Sequence, residues 1–219
     1  FYLNLEDVPS TSRYFSGENR FNFSKVIYHL KEKEKNLSLK LETIKCTDAD
    51  SKVHFFKPLD NLSEMEELSP EDVELLVREL KINSSYPAVF IDLPSRLDKK
   101  TMSVIKSSDI VIRLYLDGAT DYVKQEKVAK EMYQDETTAS ENRGRGGARL
   151  HRKTIKVLNR IKNGGIGISS GLDTEFDLLI HEANNHPFIR RDDLAIQFDE
   201  NFCRSINKLL DLLIERGRE

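Results

Sequence analysis

Hydrophobic residues along this chain gather in short runs separated by segments of helical length. Phe1-Tyr2-Leu3-Asn4-Leu5-Glu6 reads as a strand already under way. A polar turn from Asp7 to Gly17 leads to a helix over about Phe23 to Glu34, with Val26, Ile27 and Leu30 on one face. Leu37 to Cys46 reads as an irregular or amphipathic connector, and Val53-His54-Phe55-Phe56 as a short strand. Ser69-Pro70-Glu71-Asp72 marks a helix start: Ser as N-cap, Pro at the first helical position, acids in the first turn. Val73, Leu76, Val77 and Leu80 carry its apolar stripe to Lys81.

Ala88-Val89-Phe90-Ile91 then forms an apolar run that ends in Asp92, followed by a helix from about Lys99 to Lys106 and a second run from Ile110 to Leu116. A long helix is expected from Asp121 to Gln134, a polar surface loop from Asp135 to Arg149, and a strand from Lys153 to Ile161. Glu175 to Ala183 is amphipathic, and Pro187 to Asp193 is a polar loop. The helix Glu200 to Arg216 puts Phe202, Ile206, Leu209, Leu210 and Leu213 on one stripe. Apolar runs spaced by helices predict buried parallel strands with crossover helices, hence a three-layer αβα domain with a mostly parallel sheet. In this arrangement Phe1–Leu5, Ala88–Ile91, Val111–Leu114 and Ile155–Leu158 are neighbouring strands. The opening strand has neither an initiator Met nor a helix to feed it, so upstream sequence is expected to have been removed.

Composition narrows the class. At 219 residues and a net charge of −3, one α/β domain over 1–219 is the default, and net charge gives no sign of bulk nucleic-acid binding. Cys46 and Cys203 lack metal-ligand spacing and read as thiols of a reducing compartment. No run approaches the roughly 20 apolar residues of a transmembrane helix, so a soluble, cytoplasmic protein is expected. His29, His54, His151, His181 and His186 show no metal spacing, and no nucleophile–base motif occurs. Arg143, Arg145, Arg149, Arg152 and Lys153 form a basic cluster that reads as a solvated loop, or else as a contact for an anionic partner or a dimer. In the last helix Asp211 and Glu215 interrupt the stripe, which favours docking on the core over lying on a membrane.

In open α/β sheets ligands bind beyond the carboxyl ends of the strands, where Asp92 sits. A carboxylate there suits Mg²⁺ arriving with a nucleotide phosphate. The other reading of Asp92 is a helix N-cap or turn residue.

The ordered segments YLNLED (Tyr2–Asp7), AVFIDLPS (Ala88–Ser95), SSDIVIRL (Ser107–Leu114), KVLNRI (Lys156–Ile161) and NNHPFIRRDD (Asn184–Asp193) resemble the MinD/ParA group of P-loop ATPases with a deviant phosphate loop. FYLNLE at Phe1–Glu6 with SRYF at Ser12–Phe15 is most similar to its TadZ/CpaE branch, which positions Flp-type pilus machinery. The resemblance implies a P-loop NTPase-like fold and binding of ATP with Mg²⁺. It also implies a homodimer serving pilus or secretion machinery, with recruitment to the cell pole or, peripherally, to a membrane surface. It makes Asp92 the acid of the Mg²⁺ shell and Glu6 the acid near the attacking water. It makes Asn159 the reader of the adenine edge, with Pro187 and Phe188 beside the base. Glu6 also reads as a solvated strand-end acid, and Asn159 as a turn residue ahead of Gly164.

The group's lysine-bearing phosphate loop would precede Phe1. Neither Gly164-Gly165-Ile166-Gly167 nor Gly144-Arg145-Gly146-Gly147 has its G-x-x-x-x-G-K-[ST] spacing. Asn4 stands where most of the group has an acid, so the full-length protein is expected to be a weak ATPase. The rival readings are a chromosome or plasmid partition ATPase and a nucleotide-binding pseudo-ATPase scaffold.

Overall fold

Three helices in the first half of the chain start where the sequence pattern puts them. Asn22 accepts the Ser24 N–H at 3.1 Å and opens helix α1, Phe23–Lys31. That helix stops three residues short of the expected Glu34, because the chain turns at Lys33 with a φ of 49°. Ser69 and Asp72 cap each other at the start of α4, Pro70–Ile82: Ser69 N–H donates to the Asp72 carboxylate at 2.9 Å, and Asp72 N–H donates to Ser69 Oγ at 3.2 Å. Asp98 accepts the Thr101 N–H at 2.8 Å at the head of α5, Lys99–Ser107.

The computed structural model describes residues 1–33, 35–82, 86–116, 123–130, 153–161, 176–181 and 200–217. The chain divides into two compact units, Phe1–Ser107 and Ser108–Glu219. In the first, β1 (Tyr2–Asn4), β2 (Cys46–Thr47), β3 (His54–Phe55) and β4 (Phe90–Asp92) form a sheet of order β2-β3-β1-β4. Strand β1 runs parallel to both β3 and β4, while β2 and β3 form an antiparallel hairpin. Leu3, Val26, Leu30, Ile44, Val73, Leu76 and Val104 are among its most deeply buried core residues, on β1 and the helices packed against the sheet. Helix α2 is Leu37–Ile44, and α3 is the single turn Glu64–Glu67. The expected connector at Leu37 to Cys46 is thus a helix followed by a strand. Leu37, Leu41 and Ile44 recur at helical spacing and are buried, and that burial fixes the helix.

The second unit has an all-parallel sheet of β5 (Val111–Leu116), β6 (Thr154–Ile161) and β7 (Leu178–His181), in that order. Residues 123–130 are helical, and α6, Glu200–Arg216, packs Phe202, Ile206, Leu209 and Leu213 against Ile155, Val157, Leu178 and Ile180. Arg216 ties that helix to the sheet through the Thr154 carbonyl at 3.2 Å and Asp177 at 2.8 Å. The amphipathic segment at Glu175–Ala183 contains a strand: Leu178 and Ile180 are buried while Leu179 is half-exposed, a period of two. The expected loop Asp135–Arg149, and the ends of the expected helix Asp121–Gln134, lie outside the described residues.

The α/β fold class with a mostly parallel sheet is borne out, since only the β2–β3 pair is antiparallel among the strands described. The four expected neighbours are strands in two parallel pairs, β1 with β4 and β5 with β6. No described helix is long and apolar enough to cross a membrane.

Candidate functional site

The carboxyl ends of β1 and β4 lie side by side. Their register pairs Tyr2 with Phe90, Leu3 with Ile91 and Asn4 with Asp92. With a period of two, Leu3 and Leu5 enter the core with Ile91 and Leu93, which leaves Tyr2, Asn4 and Asp92 together on the opposite face. The backbones stay joined one step further, where Leu5 N–H donates to the Asp92 carbonyl at 2.9 Å.

The three polar side chains form one directed chain of hydrogen bonds. The Tyr2 hydroxyl donates to Asp92 Oδ2 at 2.9 Å, Asn4 Nδ2 donates to the Tyr2 oxygen at 3.2 Å, and Glu6 N–H donates to Asn4 Oδ1 at 2.9 Å. Burial, and then the hydrogen bond and charge of Asp92, hold the Tyr2 phenol well above its ordinary pKa. Phe15 closes over the Tyr2 ring at 5.2 Å between centroids and stacks on Phe55 at 5.4 Å. The next residue, Ser16, is anchored through its N–H and hydroxyl on the buried carboxylate of Asp48. At the same edge Arg96 bridges Asp7 at 2.8 Å and Asp98 at 3.0 Å, linking the loops that leave β1 and β4. These are exposed pairs and contribute little to stability.

Asp92 caps no helix, because α5 opens at Lys99 on Asp98. Among the described residues Tyr2 is the only hydrogen-bond partner of its carboxylate, which leaves the second oxygen available. Among those residues no three His, Cys, Asp or Glu side chains cluster as a metal cage. One strand-end carboxylate with an open oxygen fits a cation that keeps its waters and arrives on a phosphate; it does not fit an ion held by protein ligands alone.

Glu6 lies two residues beyond β1, partly buried, with its backbone fixed by Asn4. Asn159 belongs to the second unit, within β6, opposite Leu116 and two residues before the strand ends. Pro187 and Phe188 lie outside the described residues, as do Gly164–Gly167, Gly144–Gly147 and, Lys153 apart, the basic cluster. Lys153 donates to the Ser108 carbonyl at 2.7 Å. Tyr2 and Asp48 carried no functional reading in the sequence. The available signal was alternation in β1, which sets positions 2, 4 and 6 on one side.

No family model and no curated protein sequence matches the chain. Solved structures match it in fold. A ParA family ATPase from Chlorobium tepidum TLS aligns with a TM-score of 0.52 and 14% identity over 75% of this chain and 62% of its own. The septum site-determining protein MinD of Pyrococcus horikoshii OT3, complexed with Mg-ADP, aligns at 0.62 and 14% identity over 97% of this chain and 82% of its own. A protein assigned to plasmid partition in Borrelia burgdorferi B31, bound to AMPPNP, aligns at 0.65 and 15% identity over 96% and 85%. The chain therefore has the fold of the MinD/ParA-type P-loop NTPases.

Proposed function

We propose that this chain is a MinD/ParA-type ATPase domain, one domain over residues 1–219, that takes ATP with Mg²⁺. In this reading nucleotide state localises or assembles a pilus or secretion apparatus through a homodimer. The observation that carries the nucleotide part is Asp92, which ends β4 at the carboxyl edge with one oxygen held by Tyr2 and the other available. Asp92 would help to hold Mg²⁺ there, and the chemistry such an ion supplies is neutralisation of the charge that develops in phosphoryl transfer. Asp92 would hold a water of its shell. Glu6, beyond the end of β1, would orient the attacking water, a task that needs position more than basicity. The Asn159 amide offers a donor and an acceptor together, as an adenine edge requires, and Pro187 and Phe188 would pack beside the base.

The likeness to MinD with Mg-ADP and to a partition protein with AMPPNP supports the nucleotide class. The pilus assignment rests on FYLNLE and SRYF alone. Plasmid or chromosome partition is the second reading, favoured by the Borrelia alignment. It predicts that DNA accelerates phosphate release, whereas the pilus reading predicts no effect.

The direct test is Asp92→Ala in the full-length protein, with ATP binding followed by calorimetry with and without Mg²⁺. Loss of an outer-shell partner of a metal costs roughly 10–100-fold in affinity. The Mg²⁺-dependent part of ATP binding should fall by that factor. Unchanged binding would remove Asp92 from the site.

A further inference from the structure

A phenol has one proton to give, and where Tyr2 sends it is determined by its two neighbours. Asn4 Nδ2 occupies an acceptor position of the Tyr2 oxygen at 3.2 Å, so the proton points to Asp92 Oδ2 at 2.9 Å. The other end of the same amide, Asn4 Oδ1, takes the Glu6 N–H at 2.9 Å. We propose that Tyr2 and Asn4 are positioning residues: the Tyr2 hydroxyl locks the Asp92 carboxylate so that its second oxygen faces the cation, and Asn4 aims that hydroxyl while holding the backbone at Glu6. This rests on the nucleotide–Mg²⁺ reading of Asp92 and adds to it the two residues that set its geometry.

The relay gives position 4 a reason to be an amide. Asn4 is the register partner of Asp92 across one ladder step of about 4.8 Å. An aspartate there would accept only, so it would compete with Asp92 for the single Tyr2 proton and set two carboxylates side by side. Asparagine donates at one end and accepts at the other, and both ends are used. Asn4 is thus a working part of the edge. The packing of Phe15 on the Tyr2 ring does not need the hydroxyl, so Tyr2→Phe removes the relay and keeps the contact.

The test uses the full-length protein with AMPPNP as nucleotide and Mn²⁺ as the metal probe, read by electron paramagnetic resonance of bound Mn²⁺. Tyr2→Phe and Asn4→Leu should each weaken Mn²⁺ binding in the presence of AMPPNP by roughly tenfold, the worth of one hydrogen bond to a charged group. AMPPNP affinity in EDTA should stay near the parent's, and the unfolding midpoint of Tyr2→Phe should fall only by the few degrees that one hydrogen bond is worth. The double variant should lose less than the two single losses combined, because Asn4 acts in part through the Tyr2 hydroxyl. If Asp92→Ala weakens Mn²⁺ binding but Tyr2→Phe does not, the relay is wrong and the site stands. If Asp92→Ala leaves Mn²⁺ binding intact, site and relay fall together. Equal losses with and without metal, or additive losses in the double variant, overturn the relay in favour of simple packing.

Discussion

Replacing Asp48 by asparagine should loosen the loop that carries Phe15 onto Tyr2. Asp48 is only 5% exposed. Its Oδ1 accepts Ser16 N–H at 2.8 Å and Ser16 Oγ–H at 3.2 Å, and its Oδ2 accepts Ser51 N–H at 2.8 Å and Ser51 Oγ–H at 2.7 Å. Burial alone would raise its pKa, but the four donors outweigh burial and bring it from 3.8 down to about 2. At about 1.36 kcal/mol per pH unit this corresponds to roughly 2 kcal/mol, or about 1–2 once nearby solvent is allowed for. The folded pKa is the lower one, so the contribution is complete above about pH 4 and is lost as pH falls through about 2.

Asparagine keeps the shape of Asp48 and turns an NH₂ toward one of the two serines. A serine hydroxyl can rotate to accept, but the backbone N–H cannot, and an orphaned buried N–H costs roughly 1–3 kcal/mol. We expect Asp48→Asn to lose about 2–3 kcal/mol near neutral pH, which is about 5–10 °C in Tm for a chain of this size. Urea unfolding of parent and variant across the pH range is the assay. Their gap should narrow by about 1–2 kcal/mol between roughly pH 5 and pH 2. A loss below about 0.5 kcal/mol, or a gap that stays flat with pH, would refute the reasoning.

Gly17→Ala should destabilise by about 1–3 kcal/mol through overpacking, since an added Cβ would stand 2.9 Å from Cys46 Cβ and 3.1 Å from the Phe55 ring; an unshifted thermal midpoint would show that the hairpin yields freely. Ser69→Ala should cost about 1 kcal/mol and speed amide exchange in the first turn of α4, because Ser69 Oγ caps the Asp72 N–H at 3.2 Å. Unchanged exchange there would mean that the Asp72 half of the box suffices.

The elements that sequence patterning located are those whose local signals agree with their packing. Ser69-Pro70-Glu71-Asp72 carries cap, ring and charges within four residues, and α4 begins there. Helix α2 is only partly legible, as an irregular or amphipathic connector, because Leu39 adds a leucine to the pattern on the solvent side, 66% exposed, which blurs the spacing of Leu37, Leu41 and Ile44. Strand β2 lacks the bounded apolar run that marks β1, β3 and β4, and β7 sits inside a segment that reads only as amphipathic; they are strands because β3 and β6 supply their hydrogen bonds. Local pattern reports what a segment prefers; a short strand depends mainly on its neighbour.

The same contrast governs the candidate site. Asp92 was legible because an apolar run that ends in a lone acid is a local feature, and β4 ends on that residue. Tyr2 was not, since its hydroxyl matters only through a carboxylate ninety positions away in sequence. What brings them together is the parallel register of β1 on β4, where a slip of one residue would turn Tyr2 into the core and Leu3 out of it. Burial of Leu3 and Leu5 on the far face is therefore what holds Tyr2 and Asn4 beside Asp92. Core residues of β1 set the geometry of the polar face without touching it, so a polar substitution at Leu3 should disturb the Asp92 edge as surely as one at Tyr2.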